Sequence, residues 1–141
     1  MIVYLDTSAL IKTLLEEEGS PLADEIWARS SQRVASRLVY PAARAALAAA
    51  HRGSRIDQTS LRTAVEDLEA ACRAMLLIGV DWALARHAGQ LAEQHGLRGY
   101  DAMHLATALA TDAPDLTLVT WDRDLAYAAL QLGITIIPSV G

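Results

Sequence analysis

Short β-prone runs alternate with helical segments along this chain. Four β-prone runs are predicted, at residues 2–5, 33–36, 116–120 and 134–137. Helices are predicted between them, ending at residue 15 and covering 22–29, 42–51, 57–79, 82–95, 102–111 and about 125–132. Alternation of this kind is typical of a mostly parallel sheet with helices on both faces. We therefore predict a single α/β domain that spans residues 1–141.

Helix ends are predicted from capping residues. The clearest helix is the one at residues 57–79, where apolar side chains recur every three or four positions and Gly79 stands where a C-terminal glycine is expected. Thr7 and Ser8 are predicted to cap the first helix, and Asp101 to cap the helix at 102–111.

Charge is distributed unevenly along the chain. The net charge is −5, which argues against nucleic-acid binding, but residues 29–62 contain seven arginines and one acid, a local balance of +6. Arginine suits phosphate because its planar fork donates two hydrogen bonds at once. Arg37, Arg44 and Arg52 are therefore candidate RNA contacts, and a solvated helical face is the equal alternative.

Cysteine content and hydropathy indicate whether a disulfide or a membrane span is expected. Cys72 is the only cysteine, so no internal disulfide is expected, and no apolar run approaches the roughly 20 residues of a membrane span. We expect a soluble cytoplasmic protein without membrane contact.

Three aspartates are predicted to converge at one edge of the sheet. Asp6 follows the first β-prone run, Asp122 follows the third, and Asp101 begins a helix that can reach the same place. Two carboxylates about 4 Å apart repel by roughly 4 kcal/mol at an effective dielectric constant of 20, so such a cluster needs a cation or protons. Hard oxygen ligands favour Mg²⁺ or Mn²⁺, which can activate water against a phosphodiester.

Competing metal and phosphate chemistries fit less well. One cysteine and four scattered histidines lack the spacing of a zinc site. A phosphoryl-accepting receiver domain also clusters acids at strand ends, but it needs a lysine near the C-terminal strands. Lys12, the only lysine, lies in the first helix.

Four segments in order resemble the motifs of PIN domains, especially those of VapC-type toxins: IVYLDTSALIK, SRLVYPAARAAL, YDAMHLATAL and LVTWDRDLAYAALQLGI. The resemblance spans nearly the whole chain. It implies a PIN-like fold, a Mg²⁺ or Mn²⁺ site, endoribonuclease activity, a cognate antitoxin and a homodimer. Matched motif by motif, Asp6, Asp101 and Asp122 are the acids, Asp124 is an auxiliary ligand, and Thr120 is the hydroxyl residue that supports the site.

The second motif departs from that pattern. Similar proteins carry a glutamate six residues after the motif's serine, and counting from Ser36 leads to Ala42. Two hypotheses follow. The chain is a toxin ribonuclease whose activity is weakened or abolished by Ala42, or it is a non-catalytic module that binds RNA or an antitoxin on a PIN fold.

Overall fold

Five parallel strands form the centre of the molecule. The structure is a computed structural model, and it describes residues 1–139. The strand order is β3-β2-β1-β4-β5, and all four pairings are parallel. In chain order the elements are β1 (Ile2–Leu5), α1 (Thr7–Leu14), α2 (Ser20–Arg29), β2 (Gln32–Ser36), α3 (Val39–Arg52), α4 (Gln58–Arg73), β3 (Leu76–Ile78), α5 (Trp82–His95), α6 (Gly99–Ala110), β4 (Leu116–Val119), α7 (Arg123–Gln131) and β5 (Thr135–Ile137).

Helices cover both faces of this sheet. Successive side chains of a strand point to opposite faces, so Val3 and Leu5 of β1 pack in one core cluster and Tyr4 packs in the other. The first cluster lies under α1, α3 and α4, and the second lies under α5, α6 and α7. The predicted α/β fold with a parallel, doubly covered sheet is confirmed.

The prediction of one long helix over residues 57–79 was wrong. Helix α4 ends at Arg73, and residues Leu76–Ile78 form the edge strand β3 beside Val34–Ser36. A strand of three apolar residues is too short to show alternation, and its side chains happened to extend the helical spacing. Gly79 therefore follows a strand and does not end a helix.

Two predicted helix caps were also wrong. Asp6, and not Thr7 or Ser8, caps α1 by accepting a hydrogen bond from the Ala9 N–H. Helix α6 begins at Gly99, so Asp101 lies inside its first turn, and Arg98 takes the cap position without a side-chain cap bond. Among residues 1–139, no helix combines the length and hydropathy needed to cross a bilayer.

Candidate active site

Neighbouring strand ends bring the first acidic residues together. Strands β1 and β4 pair in parallel with Leu5 opposite Val119, so the residues that follow them, Asp6 and Thr120, come side by side. The Thr120 hydroxyl donates to Asp6 Oδ2 and accepts from the Asp122 N–H at 3.0 Å. This single hydroxyl therefore joins the two strand-end acids.

Asp6 is buried and held from several directions. Its Oδ1 accepts from Ser8 Oγ at 2.7 Å and from the Ala9 N–H at 2.9 Å, while Thr120 binds Oδ2. Burial raises the pKa of Asp6 to about 6, although these hydrogen bonds act in the opposite direction. The charge on Asp122 adds a small further increase. Burial therefore favours the protonated form of the Asp6 carboxyl relative to an exposed aspartate.

Asp122 begins the next helix. Its Oδ1 accepts from the Leu125 N–H at 2.9 Å and so caps α7, which leaves Oδ2 turned to the cavity side. That oxygen accepts from Arg98 Nη2 at 2.9 Å. The cap fixes the direction of the carboxylate without using both of its oxygens.

Helix α6 supplies the third acid together with a cation. Arg98 Nε donates to Asp101 Oδ2 at 3.0 Å, and the same guanidinium reaches Asp122. Burial raises the pKa of Asp101, and the neighbouring Arg98 opposes that rise. The guanidinium thus bridges acids from two different elements.

One cavity collects these side chains. It has a volume of about 240 Å³ and is lined by Asp6, Thr7, Ser8, Ala42, Arg98, Tyr100, Asp101, His104 and Asp122. The three predicted acids and Ala42 are therefore neighbours around one space. A larger cavity of about 620 Å³ between α1 and α4 has only Glu16 and Glu17 as acidic lining residues. The smaller cavity is the better candidate for metal and phosphate chemistry.

The donor set matches a hard divalent cation in type but is incomplete as arranged. Carboxylate oxygens are the ligands that Mg²⁺ and Mn²⁺ prefer. Within the described residues, however, no three His, Cys, Asp or Glu side chains are grouped closely enough to hold a metal ion. Ala42 offers no ligand atom at this cavity, and Arg98 pairs with Oδ2 of Asp101 and with Oδ2 of Asp122.

A buried histidine joins the two elements that carry Asp6 and Asp101. His104 Nδ1 lies 2.8 Å from Tyr4 Oη, and Nε2 lies 3.2 Å from Thr7 Oγ1. Burial lowers the pKa of His104 to about 4, so the ring is neutral at pH 7. Tyr4 Oη also accepts from the Ser36 N–H, and with Tyr4 donating to Nδ1 the ring's proton lies on Nε2. The ring ties α6 to β1 and α1.

The remaining predicted residues lie outside the cavity lining. Arg44 projects from α3 about 200° around the helix from Ala42, and Arg37 and Arg52 are exposed at positions before and at the end of that helix. Their role in RNA binding stays a prediction. Asp124 is exposed in the first turn of α7, where its charge raises the pKa of Asp101 slightly.

Two residues of the cavity wall were not among the predicted site residues. Arg98 and Tyr100 flank Gly99 at the start of α6, and both are exposed there. The available signal was the spacing of Arg98 three residues before Asp101, which places the two side chains on one side of a helix start. Its second partner, Asp122, is distant in sequence and could not be read from spacing.

Comparison with known proteins shows the family of the chain. Residues 3–130 match the PIN domain family. The chain is 41% identical to Ribonuclease VapC45 of Mycobacterium tuberculosis (strain CDC 1551 / Oshkosh), over 98% of this chain and 96% of that protein. The chain belongs to the PIN domain family.

Solved structures agree on the fold at lower identity. The crystal structure of PAE2754 from Pyrobaculum aerophilum superposes with a TM-score of 0.70 at 21% identity, covering 97% of this chain and 90% of that one. A toxin–antitoxin complex from Klebsiella pneumoniae contains a chain that matches with a TM-score of 0.63 at 21% identity, covering 88% and 90%.

Proposed function

We propose that this chain is the ribonuclease toxin of a type II toxin–antitoxin system and cleaves RNA internally. The observation that carries the proposal is the cavity at the carboxyl edge of the sheet, where Asp6, Asp101 and Asp122 meet. The 41% identity to a protein named as a VapC ribonuclease supports the same activity. The cavity has a volume of about 240 Å³ and is lined by all three of these acids.

Metal dependence forms part of the proposal. A bound Mg²⁺ or Mn²⁺ would supply an acidified water and neutralise developing phosphate charge. Asp6, Asp101 and Asp122 would hold the ion. Thr120, Ser8 and the Ala9 N–H keep the Asp6 carboxylate in one orientation, so Asp6 is arranged before any ligand enters.

The partners of the chain follow from the same proposal. We propose a cognate antitoxin as the protein partner and RNA as the substrate. The name of the VapC relative and the toxin–antitoxin complex among structures of the same fold support the antitoxin. A homodimer stays a prediction that sedimentation velocity would test.

A second candidate function has its own support. Ala42 contributes no carboxylate, and Arg98 balances two of the three acids. A chain with these features can bind RNA or an antitoxin without cutting RNA. This non-catalytic module is the alternative to a weak nuclease.

A cleavage assay separates the two functions. Purified chain and its Asp6→Asn variant would be incubated with single-stranded and structured RNA, with Mn²⁺ or with EDTA, beside a binding assay on the same RNAs. We expect slow cleavage by the unaltered chain that requires Mn²⁺ and is lost in Asp6→Asn. RNA binding without any Mn²⁺-dependent cleavage would select the module.

A further inference from the structure

The guanidinium of Arg98 occupies the position between two acids of the candidate active site. Its Nε and Nη2 atoms each donate to a different carboxylate, Asp101 at 3.0 Å and Asp122 at 2.9 Å. The two acids come from α6 and from the end of β4, so Arg98 is the charge that links them. Charge-assisted bonds of this kind are stronger than neutral ones.

A metal ion bound by Asp101 and Asp122 would compete with Arg98 for the negative charge of the same two carboxylates. Arg98 contacts Oδ2 of Asp101 and Oδ2 of Asp122, and both residues line the cavity together with Asp6. A divalent cation held by these carboxylates would lie close to the guanidinium, and like charges repel at short distance. Metal binding and the Arg98 ion pairs therefore compete.

Arg98 is far more exposed than either of its two partners. Its side chain is 80% exposed, whereas those of Asp101 and Asp122 are 14% and 21% exposed. Exposed ion pairs are weak because water screens them and holding long side chains costs entropy. The next residue is Gly99, around which no atom lies within 4 Å of an added Cβ, so the region beside Arg98 is open.

The released guanidinium would remain at the mouth of the site. Arg98 and Tyr100 flank Gly99, and both line the cavity from its exposed side. A planar guanidinium pairs with phosphate as readily as with carboxylate. A phosphodiester entering the cavity would therefore meet the exposed guanidinium of Arg98.

We propose that Arg98 is an exchangeable internal counter-ion of this site. It pairs with Asp101 and Asp122 when no divalent cation is bound, and it transfers to a phosphate oxygen of RNA when the cation takes those carboxylates. This inference rests on the proposed function. It differs from a purely structural role, in which Arg98 would hold the acids in place for the metal and its loss would weaken metal binding.

The test measures metal and RNA binding separately, without cleavage. Mn²⁺ affinity would be measured by calorimetry for the unaltered chain and for Arg98→Gln, each also in the Ala42→Glu background. Arg86→Gln is the matched control, since Arg86 is exposed on α5 and does not line the cavity. Affinity for a 2′-O-methyl oligonucleotide, which lacks the 2′-hydroxyl, would be measured by fluorescence anisotropy with saturating Mn²⁺ and with EDTA.

Opposite changes in the two affinities are expected. Arg98→Gln should bind Mn²⁺ about three- to tenfold more tightly, the range for removing one or two partly exposed competing ion pairs. In Mn²⁺ it should bind the oligonucleotide at least about threefold more weakly than the unaltered chain does. In EDTA the difference in oligonucleotide affinity should be much smaller, since Arg98 of the unaltered chain then pairs with the acids. Arg86→Gln should change neither affinity.

Any other result of these binding measurements contradicts one specific part of the proposal. Unchanged or weaker Mn²⁺ binding by Arg98→Gln, with Mn²⁺ bound normally by the unaltered chain, rejects the counter-ion role and leaves the proposed function intact. Tighter Mn²⁺ binding without a loss of oligonucleotide affinity rejects the transfer to phosphate. If no variant binds Mn²⁺, including those with Ala42→Glu, the metal-dependent function fails and this inference fails with it.

Discussion

The cavity has a wall at the strand ends and a wall formed by helices, and the two differ in which groups bind and balance their acidic side chains. The wall at the strand ends holds Asp6, Thr120 and Asp122, which are joined by hydrogen bonds from hydroxyls and backbone N–H groups. The helical wall holds Ala42, Arg98 and Asp101, where one side chain has no polar atom and the acid depends on an exposed arginine. Neutral donors alone hold Asp6, and one oxygen of Asp122 caps α7, whereas the charges of Asp101 and of the other Asp122 oxygen are balanced by the exposed Arg98.

Restoring a carboxylate on the helical wall should have the largest effect. Ala42→Glu adds a ligand atom beside Asp6, Asp101 and Asp122, and it should raise Mn²⁺-dependent RNA cleavage by at least about 100-fold, the upper end of what one group supporting a metal site contributes. Ala45→Glu, on an exposed position of the same helix, is the control. Equal rates for the two variants would mean that the second motif is misaligned.

The buried Asp6 and His104 should make the free energy of unfolding depend on pH. Burial raises the pKa of Asp6 from 3.8 to about 6, so the folded state keeps a proton that the unfolded chain releases, and stability falls as pH rises through that window. Burial lowers the pKa of His104 from 6.5 to about 4, so stability falls as pH drops through nearly the same window. The two contributions oppose each other.

Single substitutions should separate these contributions. In Asp6→Asn only the contribution of His104 remains, so the free energy of unfolding should fall by about 3 kcal/mol as the pH drops from 6.5 to 4. In His104→Gln only the contribution of Asp6 remains, so the free energy of unfolding should fall by about 3 kcal/mol as the pH rises from 4 to 6. Urea denaturation across this range is the measurement, with Asp115→Asn as the exposed control. Profiles in both variants that match the unaltered chain would contradict the assigned shifts.

Removing the hydroxyl that joins the two strand-end acids should cost stability. Thr120→Val keeps the shape but leaves Asp6 Oδ2 and the Asp122 N–H without this partner, at a cost of about 1–3 kcal/mol. Thr135→Val, at an exposed position of β5, is the matched control. A loss no greater than that of the control would show that water replaces the hydroxyl without penalty.

The arginines outside the cavity should have the smallest effect. If Arg37, Arg44 and Arg52 contact RNA phosphates, changing all three to glutamine should flatten the slope of log affinity against log salt by up to about 2, since each contact on a single strand contributes about 0.7. Oligonucleotide binding at several salt concentrations measures the slope. An unchanged slope would identify these side chains as a solvated face.

The strand-end wall was the more predictable from sequence. Asp6 directly follows one β-prone run and Asp122 comes two residues after another, and parallel strands necessarily bring their carboxyl ends to one edge. Asp101 was a candidate from its place at a predicted helix start, where a capping role was the alternative. Ala42 was found only through motif resemblance, because the position of a helix against a sheet depends on tertiary packing that periodicity does not encode. The same limitation explains why the pairing of Arg98 with Asp122, distant in sequence, was missed.

The alternation of β-prone and helical segments predicted most of the fold, but it did not predict where each helix and strand begins and ends. The parallel, doubly covered sheet was predicted, but β3 was absorbed into a helix because three apolar residues extended its spacing. The caps at Asp6 and Arg98 were misplaced because several adjacent polar residues could serve, and backbone geometry chooses among them.

The most direct measurement is the anomalous diffraction of Mn²⁺ in crystals of the Ala42→Glu variant. The account predicts one strong peak in the cavity, about 2.0–2.6 Å from carboxylate oxygens of Asp6, Asp101 and Asp122, the range for hard divalent cations bound by oxygen. It also predicts that Arg98 no longer contacts Asp101 and Asp122 in those crystals. A peak bound elsewhere, or a cavity without manganese at saturating concentration, would contradict the claim that these acids form one metal-dependent site.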